Sequence, residues 1–390
     1  MLVTDGEQRG ALAAVRSLGR HGAQVHVAST ARRSLAGVSR AAAASVEVPD
    51  PLHAPAAYAD AVARYVAKHE IAVVLPMTEP SMLTLLEARE RLAPATVPFG
   101  TLESFLALSN KADLAGRALD CGIAFPAQRT LTWNERAMGV PADLCYPVVV
   151  KPARSVGEAD GVRGKFGVVH AADATALGAV LARLPAAAYP LLVQQRVVGP
   201  GIGIFVLLWG GRCVATFAHR RLREKPPSGG VSVYAESIVA DAALVDRSTR
   251  LLRGLGWKGV AMVEYKVDAV TGTPYLMEIN GRFWGSLQLA IDAGVDFPAL
   301  LVDCALGFPA DVAPAARPGV RGRWWWGDVD HLLARLRRSP AALSLPPGAP
   351  SRARAALDFL APGPSVRDAV FRLTDPVPFL LETAHWFRRR

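Results

Sequence analysis

VEYKVDAVTGTPYLMEINGRFWGS, residues Val263–Ser286, is the most informative stretch of this 390-residue chain. Residues 263–268 alternate between apolar and polar side chains, which is the period-two pattern of a half-buried strand. Residues 271–274, Thr-Gly-Thr-Pro, are typical of a turn. A second apolar run follows at Tyr275–Ile279, interrupted only by Glu278. The pattern therefore predicts a β-hairpin.

The register of this hairpin is expected to bring Glu264, Glu278 and Asn280 together. Glu278 and Asn280 are two residues apart and so share a face of their strand. Two carboxylates and an amide oxygen suit Mg²⁺ or Mn²⁺, and magnesium usually takes its remaining ligands from water and phosphate. These three residues therefore suggest a nucleotide-binding site, and Arg282 would reach the same phosphate anion. The alternative is a pair of solvated glutamates, but a charge inside an apolar run is costly unless it is paired or metal-bound.

Composition limits the possible classes of protein. The length allows two to four domains, and 51% hydrophobic with 20% charged residues indicates a globular chain. No apolar stretch reaches the length of a membrane-spanning helix, and no signal peptide is evident. Four cysteines without a CxxC pair indicate reduced thiols and a cytoplasmic protein. The formal charge of +10 suits acidic ligands, but no basic helix with interleaved aromatics predicts nucleic-acid binding.

The first 105 residues alternate between strand and helix patterns. Strands are expected at 1–4, 24–28 and 71–76, and helices at 11–18, 56–69 and 81–92. This order predicts a parallel sheet with ligands at the strand ends. No G-x-G-x-x-G follows the first strand, so no dinucleotide site is predicted.

Two lysines in the next segment call for anionic partners. Lys111 stands at the start of a predicted helix, 112–119, where the helix dipole disfavours a cation. Lys151 ends the predicted strand Tyr146–Pro152, YPVVVKP, inside a buried run. The Gly-rich and charged stretch 153–167, which includes Ser155, is predicted to be a mobile loop that closes over phosphates. A surface lysine and a hairpin tip are the plainer alternatives.

Residues 190–240 have the pattern of antiparallel strands. Strands at 191–198, 204–209 and 212–217 are predicted, with Gly210-Gly211 joining the last two as a hairpin. The cationic run His219–Lys225 follows, and then a glycine-rich turn at 229–230. We expect this run to form a second anion contact near the turn; a solvated charged loop is the alternative.

The last 80 residues differ in character from the rest. Short helices are expected at Val329–Leu336 and Ser365–Leu373, and three tryptophans occur together at 324–326. Tryptophan and arginine near the segment Pro376–Arg390 would allow contact with a membrane interface, but packing of the tryptophans against the protein is favoured.

With these motifs in view, residues 1–308 resemble the ATP-grasp superfamily. The chain looks similar to its carboxylate–amine ligases and carboligases, such as D-alanine–D-alanine ligase and biotin carboxylase. The resemblance rests on YPVVVKP, FAHRRLREKPPSGGVS, VEYK and GTPYLMEINGRFWGS. It implies an α/β and α+β fold with these parts: a pre-ATP-grasp parallel-sheet domain at 1–105, ATP-grasp subdomain A at 106–188, subdomain B with the metal site at 189–308, and a C-terminal helical extension at 309–390.

The resemblance also implies roles for individual residues. Lys111, Lys151 and Ser155 would contact the ATP phosphates, and Glu264, Glu278 and Asn280 would hold one or two Mg²⁺ or Mn²⁺ ions. Lys151, Arg282 and Arg220 would be catalytic, with Arg282 steadying the γ-phosphate and the acyl phosphate. A hinge would bind adenine through Gln194, Gln195, Arg196 and Val197. Many relatives carry glutamates in the hinge and two residues after its glycine, where this chain has glutamines and Gly201.

The implied activity is ATP-dependent acid–amine ligation. A carboxylate would attack the γ-phosphate to give an acyl phosphate and ADP, and an amine would then displace phosphate to form an amide. A carboxylase that activates bicarbonate is an alternative, although no biotin-attachment motif is visible. A non-catalytic nucleotide-binding protein is a third, disfavoured by the complete set of metal-ligand candidates. The expected partners are ATP and small-molecule substrates.

Overall fold

The computed structural model describes residues 1–141, 143–159, 161–308, 312–346, 348–363 and 365–389. Within this part of the chain, three multistranded sheets and one separate two-stranded sheet carry the architecture. The sheets follow one another along the sequence, with the largest formed last.

The first sheet is parallel, as the sequence predicts. It has the strand order β3-β2-β1-β4. The strands and helices of this region are β1 Leu2–Val3, α1 Arg9–Arg20, β2 His26–Ser29, β3 Ala44–Glu47, α2 Pro55–Lys68, β4 Val74–Leu75 and α3 Glu79–Glu87. The sequence interpretation missed β3, which follows a serine- and alanine-rich stretch and is only partly buried. Helix α1 is buried from Gly10 to Leu18, so it packs inside the protein rather than on a free surface.

The second sheet is antiparallel, with the order β5-β10-β6-β9. The elements of this region are α4 Leu102–Ser109, α5 Lys111–Asp120, β5 Gln128–Leu131, β6 Val148–Pro152, β7 Val156–Ala159, β8 Val162–Lys165, β9 Val169–Ala171, α6 Ala174–Arg183 and β10 Leu191–Gln195. Strand β10 lies beyond the boundary predicted at residue 188, yet it is a central strand here.

The Gly-rich stretch 153–167 contains an antiparallel hairpin, β7–β8, with residue 160 outside the described part. Arg163 on this hairpin makes ion pairs with Glu87 of α3 at 2.8 Å and with Glu158 at 2.9 Å. The hairpin is therefore attached to the first domain in this structure.

The third sheet has seven strands in the order β15-β14-β11-β12-β13-β16-β17. The elements are β11 Gly201–Trp209, β12 Arg212–Lys225, β13 Val231–Ser237, α7 Ala242–Gly254, β14 Gly259–Val267, β15 Pro274–Asn280, α8 Leu287–Asp292, α9 Phe297–Ala305, β16 Arg321–Arg323, α10 Trp325–Arg337, α11 Arg352–Leu360, β17 Val366–Asp368 and α12 Val377–Arg388. The predicted hairpin is confirmed as β14–β15.

The predicted helix at Ser365–Leu373 is wrong. Residues 366–368 instead form β17, which pairs in parallel with β16 at the edge of the third sheet. The open edge of β16 offers unpaired backbone groups, and this pairing outweighs local preference. Among the described residues, the C-terminal region thus combines three helices with two strands. The third sheet continues beyond the boundary predicted after residue 308. Residues 309–311, next to that boundary, lie outside the described part.

The C-terminal region is bound to the rest of the protein by buried polar contacts. Arg16 of α1 donates to Asp375 at 2.8 Å, and the indole of Trp324 donates to Glu382 of α12 at 2.8 Å. Trp326 stacks on another tryptophan, Trp386, with ring centroids 4.2 Å apart. No helix among the described residues is long and apolar enough to cross a membrane. Contact of this segment with a membrane surface stays the less favoured alternative.

Two hydrophobic cores hold these layers together. The larger core joins the first sheet to the third, from Leu2 to Val302 in sequence, with Val370 added from the C-terminal region. A smaller core of nine buried residues fills the second sheet alone, between Leu131 and Val193. The second sheet is therefore a structural unit with its own interior.

Glu382 gives a testable pH dependence of stability. Burial raises the pKa of this carboxyl to about 7, although Trp324 and Arg9 oppose the rise. The protonated carboxyl therefore makes its full contribution to the unfolding free energy below the unfolded-state pKa of about 4.3. This contribution is lost as the pH rises through 7. We expect Glu382→Gln to be more stable than the parent protein at pH 8 by about 2 kcal/mol, and equal to it near pH 4.5.

The measurement is the urea unfolding free energy of both proteins between pH 4.5 and 8.5. The matched control is Glu135→Gln, which changes an exposed glutamate and leaves the carboxyl of Glu382 in place. Its unfolding free energy should therefore fall between pH 4.5 and 7, as that of the parent protein does. Parallel pH profiles for the Glu382 variant and the parent protein would contradict the assignment.

Candidate active site

Two carboxylates face each other on neighbouring strands of the third sheet. Glu264 of β14 and Glu278 of β15 are direct register partners. The register shifts just beyond them, because Tyr265 pairs with Leu276 and leaves Met277 as the extra residue of a bulge. Both side chains are largely withdrawn from solvent, with exposed fractions of 14% and 31%. Such a pair requires cations close by, because like charges opposite each other destabilise a sheet.

Lys111 and Lys151 reach this pair from outside the third sheet. Lys111 is the first residue of α5, and its Nζ lies 3.6 Å from Glu278 Oε2 while donating to Ser155 Oγ at 3.2 Å. Lys151 on β6 donates to the carbonyl oxygen of the bulge residue Met277 at 3.0 Å. Both lysines are buried. The structure therefore brings the two predicted lysines and Ser155 to the same place as the carboxylates.

Asn280 and Arg282 extend the group along the chain. Asn280 Nδ2 donates to Glu278 Oε1 at 2.9 Å, and Arg282 donates from NH2 to Asn280 Oδ1 at 3.0 Å. The three predicted metal-ligand candidates, Glu264, Glu278 and Asn280, thus lie in one cluster, as the two-residue spacing suggested.

Arg221 is a member of this cluster that the sequence interpretation missed. Its guanidinium holds Glu264 with two nearly parallel bonds, NH1 to Oε1 at 2.7 Å and NH2 to Oε2 at 2.5 Å. It also donates to Glu224 at 2.9 Å. This forked arrangement is the strongest ion-pair geometry available to a carboxylate.

Arg220, which the sequence interpretation chose as catalytic, is not brought to this cluster. The segment is part of strand β12 rather than a loop, and Arg220 pairs instead with Glu236 of β13 at 2.9 Å. Successive residues of a strand point to opposite faces, so Arg220 and Arg221 cannot both face Glu264. No sequence signal indicated which of the two arginines faces inward.

Charges around the two carboxylates shift their pKa values in opposite directions. Burial alone would raise the pKa of Glu278, but nearby cations and a hydrogen bond outweigh it and lower the pKa to about 2, with Lys111 acting most strongly and Asn280 next. Burial and the charge of Glu278 raise the pKa of Glu264, against the opposing effect of Arg221. Glu278 is therefore firmly ionised and ready to bind a cation.

The pKa of Lys151 is lower than that of an ordinary lysine. Burial lowers its pKa to about 8, and the charge of Lys111 adds to this, while Glu278 and Glu264 oppose it. A lysine in this state gains most from an arriving anion, which would restore its ordinary pKa.

In the predicted adenine hinge, the side chains of Gln194 and Arg196 bond to residues outside this cluster. Gln194 is buried and donates to Gln128 of β5 at 3.0 Å, and Arg196 donates to the carbonyl oxygen of Ser344 at 2.5 Å. Gln195 is exposed and Val197 is buried. Binding of adenine here stays a prediction.

The donor set fits a hard divalent cation that bridges to a phosphate. No group of three or more His, Cys, Asp or Glu side chains forms a metal site among the described residues. Protein carboxylates therefore number two here, as is usual for Mg²⁺ bound together with phosphate. Four cationic side chains surround these two acids, which leaves an excess of positive charge for an anionic ligand.

A cavity of about 500 Å³ lies elsewhere among the described residues. It is bounded by α3, α4 and the β7–β8 hairpin, and Arg154 and Arg163 line it with Glu79 and Glu87. None of the predicted site residues lines this cavity, although Asn110, Ala153 and Arg154 border it next to Lys111 and Ser155.

Two neighbouring arginines give a matched test of this geometry. Arg221→Met would leave the buried Glu264 and Glu224 without their cation, so we expect a loss of about 3–5 kcal/mol of unfolding free energy. Arg220→Met removes an exposed partner from Glu236, which retains Arg321, so its cost should stay within about 1 kcal/mol. Urea unfolding measures both, and equal losses would show that the inward residue has been misassigned.

Comparison with known proteins supports this reading of the fold. A family model described as "ATP-grasp in the biosynthetic pathway with Ter operon" matches residues 187–326, which include β12, β14 and β15. An L-amino acid ligase from Bacillus licheniformis aligns over 80% of this chain and 77% of its own, with a TM-score of 0.62 and 19% identity.

Two further crystal structures are similar at the level of the fold. Biotin carboxylase from Campylobacter jejuni, in complex with β-γ-ATP, has a TM-score of 0.61 at 14% identity, covering 82% of this chain and 74% of that one. The biotin carboxylase domain of a Hydrogenobacter thermophilus 2-oxoglutarate carboxylase, in complex with MgADP and bicarbonate, has a TM-score of 0.61 at 13% identity, covering 82% and 73%. The family model thus covers residues 187–326 of this chain, and the three solved structures share its fold.

Proposed function

We propose that this protein is an ATP-dependent carboxylate–amine ligase that forms an amide bond through an acyl phosphate. The observation that carries the proposal is the pair Glu264 and Glu278, half-buried opposite each other and surrounded by cations from three directions. This arrangement suits the polyphosphate of ATP together with a divalent cation. The similarity to an L-amino acid ligase supports the choice of amide formation.

Each residue of the cluster has a proposed part. Glu264, Glu278 and Asn280 would hold Mg²⁺ or Mn²⁺, which when bound neutralises charge on the phosphates. Lys111 and Lys151 would contact phosphate oxygens, since both project from the second sheet or its flanking helix towards Glu278. Ser155 is positioned by Lys111 and would support the same contact.

The chemistry requires positioning more than covalent participation by the protein. An oxygen of the substrate carboxylate attacks the γ-phosphorus, the bond from that phosphorus to the oxygen of ADP breaks, and an acyl phosphate forms. The amine nitrogen then attacks the acyl carbon, the bond to the phosphate oxygen breaks, and phosphate leaves while the nitrogen loses a proton. Arg282 would stabilise the charge that develops on the transferred phosphoryl group.

Arg221 would change partners when the site fills. Its bidentate contact occupies both oxygens of Glu264, so a cation that binds Glu264 has to share or displace that contact. The guanidinium would then be free to meet the acyl phosphate, a role first assigned by sequence to Arg220. The four-part division of the chain and a cytoplasmic location belong to the same proposal.

A carboxylase is the second candidate, because two of the similar structures are biotin carboxylases. Release of ADP from MgATP separates the two functions. We expect release to depend on an added amino acid or peptide, and bicarbonate alone to leave it at the background rate. ADP release that requires only bicarbonate would replace ligation by carboxylation, and no release under any condition would indicate a binding protein.

Glu278 provides the direct test of the metal assignment. We expect Glu278→Gln to lower ADP release about 100-fold or more, because it removes a charge from the cation site without changing core volume. The fold should persist, as judged by circular dichroism and the melting temperature. Glu236→Gln, on the opposite face of the sheet, is the matched control and should retain activity. Unchanged turnover in the Glu278 variant would remove the basis of the proposal.

Lys151 predicts how nucleotide affinity depends on pH. Its pKa of about 8 in the free protein means that it loses its charge as the pH rises through 8. Bound phosphates favour the charged form, so the dissociation constant for MgATP should rise about tenfold from pH 7 to pH 9. Lys151→Arg keeps its charge over this range, and calorimetric titration should show a flat profile for it. The same slope in both proteins would assign the titration to another group.

A further inference from the structure

A second cleft lies where four parts of the chain meet. It is narrow, about 20 Å³, which is room for one or two water molecules. Arg9 comes from the first domain, Ser232 from β13, Ser286 from the segment after β15, and Trp324 from the C-terminal region. A cleft of this size fits a small polar group such as a carboxylate.

Arg9 is a cation in this cleft without a carboxylate partner. No carboxylate oxygen of the residues described in the structure lies within 4.0 Å of its nitrogen atoms. The hydrogen bond that it makes within the described part of the chain is long, from NH2 to the carbonyl oxygen of Ser232 at 3.5 Å. Its guanidinium lies 3.9 Å from the ring centroid of Trp324. The indole ring orients the planar guanidinium group and leaves most of its N–H donors available.

The other arginines of the cleft are already neutralised. Arg323 forms an ion pair with Asp328 at 2.6 Å. Arg367 lies 3.6 Å from Asp292, which also pairs with Arg372 at 2.8 Å. Arg9 is thus distinguished from its neighbours by its lack of a counter-ion.

The acids nearest to Arg9 are engaged elsewhere. Glu382 accepts the indole hydrogen of Trp324, and Asp368 accepts backbone hydrogen bonds from residues 325, 370 and 371. They act on Arg9 only through space, and burial outweighs them, lowering the pKa of Arg9 to about 10. Arg9 is therefore a half-buried cation that an incoming anion would stabilise.

The cleft is connected to the candidate active site through the backbone. A Cβ atom added at Gly285 would lie 3.0 Å from Arg9 NH2, so this glycine allows the guanidinium to approach the chain closely. Gly285 follows Arg282 by three residues, which limits their Cα separation to about 10 Å. The backbone that Arg9 approaches is therefore the segment that directly follows Arg282.

We propose that Arg9 binds the carboxylate of a small substrate, either an α-amino acid or a dicarboxylic acid. This inference rests on the proposed ligase function and assigns a substrate-binding residue to the first domain. Trp324 orients the guanidinium, and Gly285 keeps space for it. The C-terminal region contributes to the substrate site through Trp324, held in place by Glu382.

The test uses glycine, L-glutamate and succinate as probes, titrated calorimetrically into the full-length protein with and without MgATP. We expect at least one probe to bind the parent protein, and Arg9→Gln to bind it at least about tenfold more weakly, since a charge-assisted contact is lost. Arg9→Lys, which retains charge without the fork, should fall between the two.

The control is Arg136→Gln, because Arg136 also stacks on a tryptophan, Trp133 at 4.5 Å, but outside the cleft. It should bind the probe as the parent protein does, and circular dichroism checks that all variants fold. Should Arg9→Gln misfold, Arg9→Lys carries the test. Equal affinity in the Arg9 variants, or no binding of any probe to the parent protein, would overturn the proposal.

The two proposals fail in different ways. If succinate or an amino acid binds in an Arg9-dependent manner but no ADP is ever released, the ligase function fails and the carboxylate site stands. If MgATP binds and turns over while Arg9→Gln leaves the KM of every substrate unchanged, the carboxylate site fails and the ligase function stands.

Discussion

The repulsion between Glu264 and Glu278 is the constraint on which the rest of the site depends. Two ionised carboxylates that face each other across neighbouring strands, largely out of water, destabilise the sheet unless cations compensate them. Arg221 does so within the sheet, and Lys111 approaches from helix α5. The contacts that stabilise the fold here would thus also prepare the proposed site for a phosphate-bound cation, because the cations that neutralise the acids create a positive surplus.

Elements from distant parts of the chain supply these charges. Lys151 belongs to the second sheet, yet its ammonium group ends on a carbonyl oxygen of β15 in the third. That oxygen is exposed by the bulge at Met277, so an irregularity in one strand provides the link between two sheets. A ligand bound between Lys151 and Glu278 would strengthen the same link, which is how a nucleotide could hold the two sheets together.

Much of this arrangement could be predicted from the sequence, because periodicity and charge carry information about local structure. Periodicity and charge predict three of its features: the β14–β15 hairpin, the shared face of Glu278 and Asn280, and the unusual positions of both lysines. Arg221 could not be predicted, because a bulge at residue 222 shifts the register of β12 against β13, so alternation along the strand does not reveal which arginines face inward. Strand β17 was missed for a related reason: its pairing partner, β16, is supplied by tertiary structure.

The separate interior of the second sheet has a consequence for motion. Its nine buried residues share no apolar contacts with the larger core, so opening this unit does not require the rest of the protein to unfold. Amide hydrogens of β5, β6, β9 and β10 should therefore exchange with solvent faster than those of β11 and β14. Any molecule that spans the two sheets would slow that exchange, and the degree of slowing reports how tightly it is gripped.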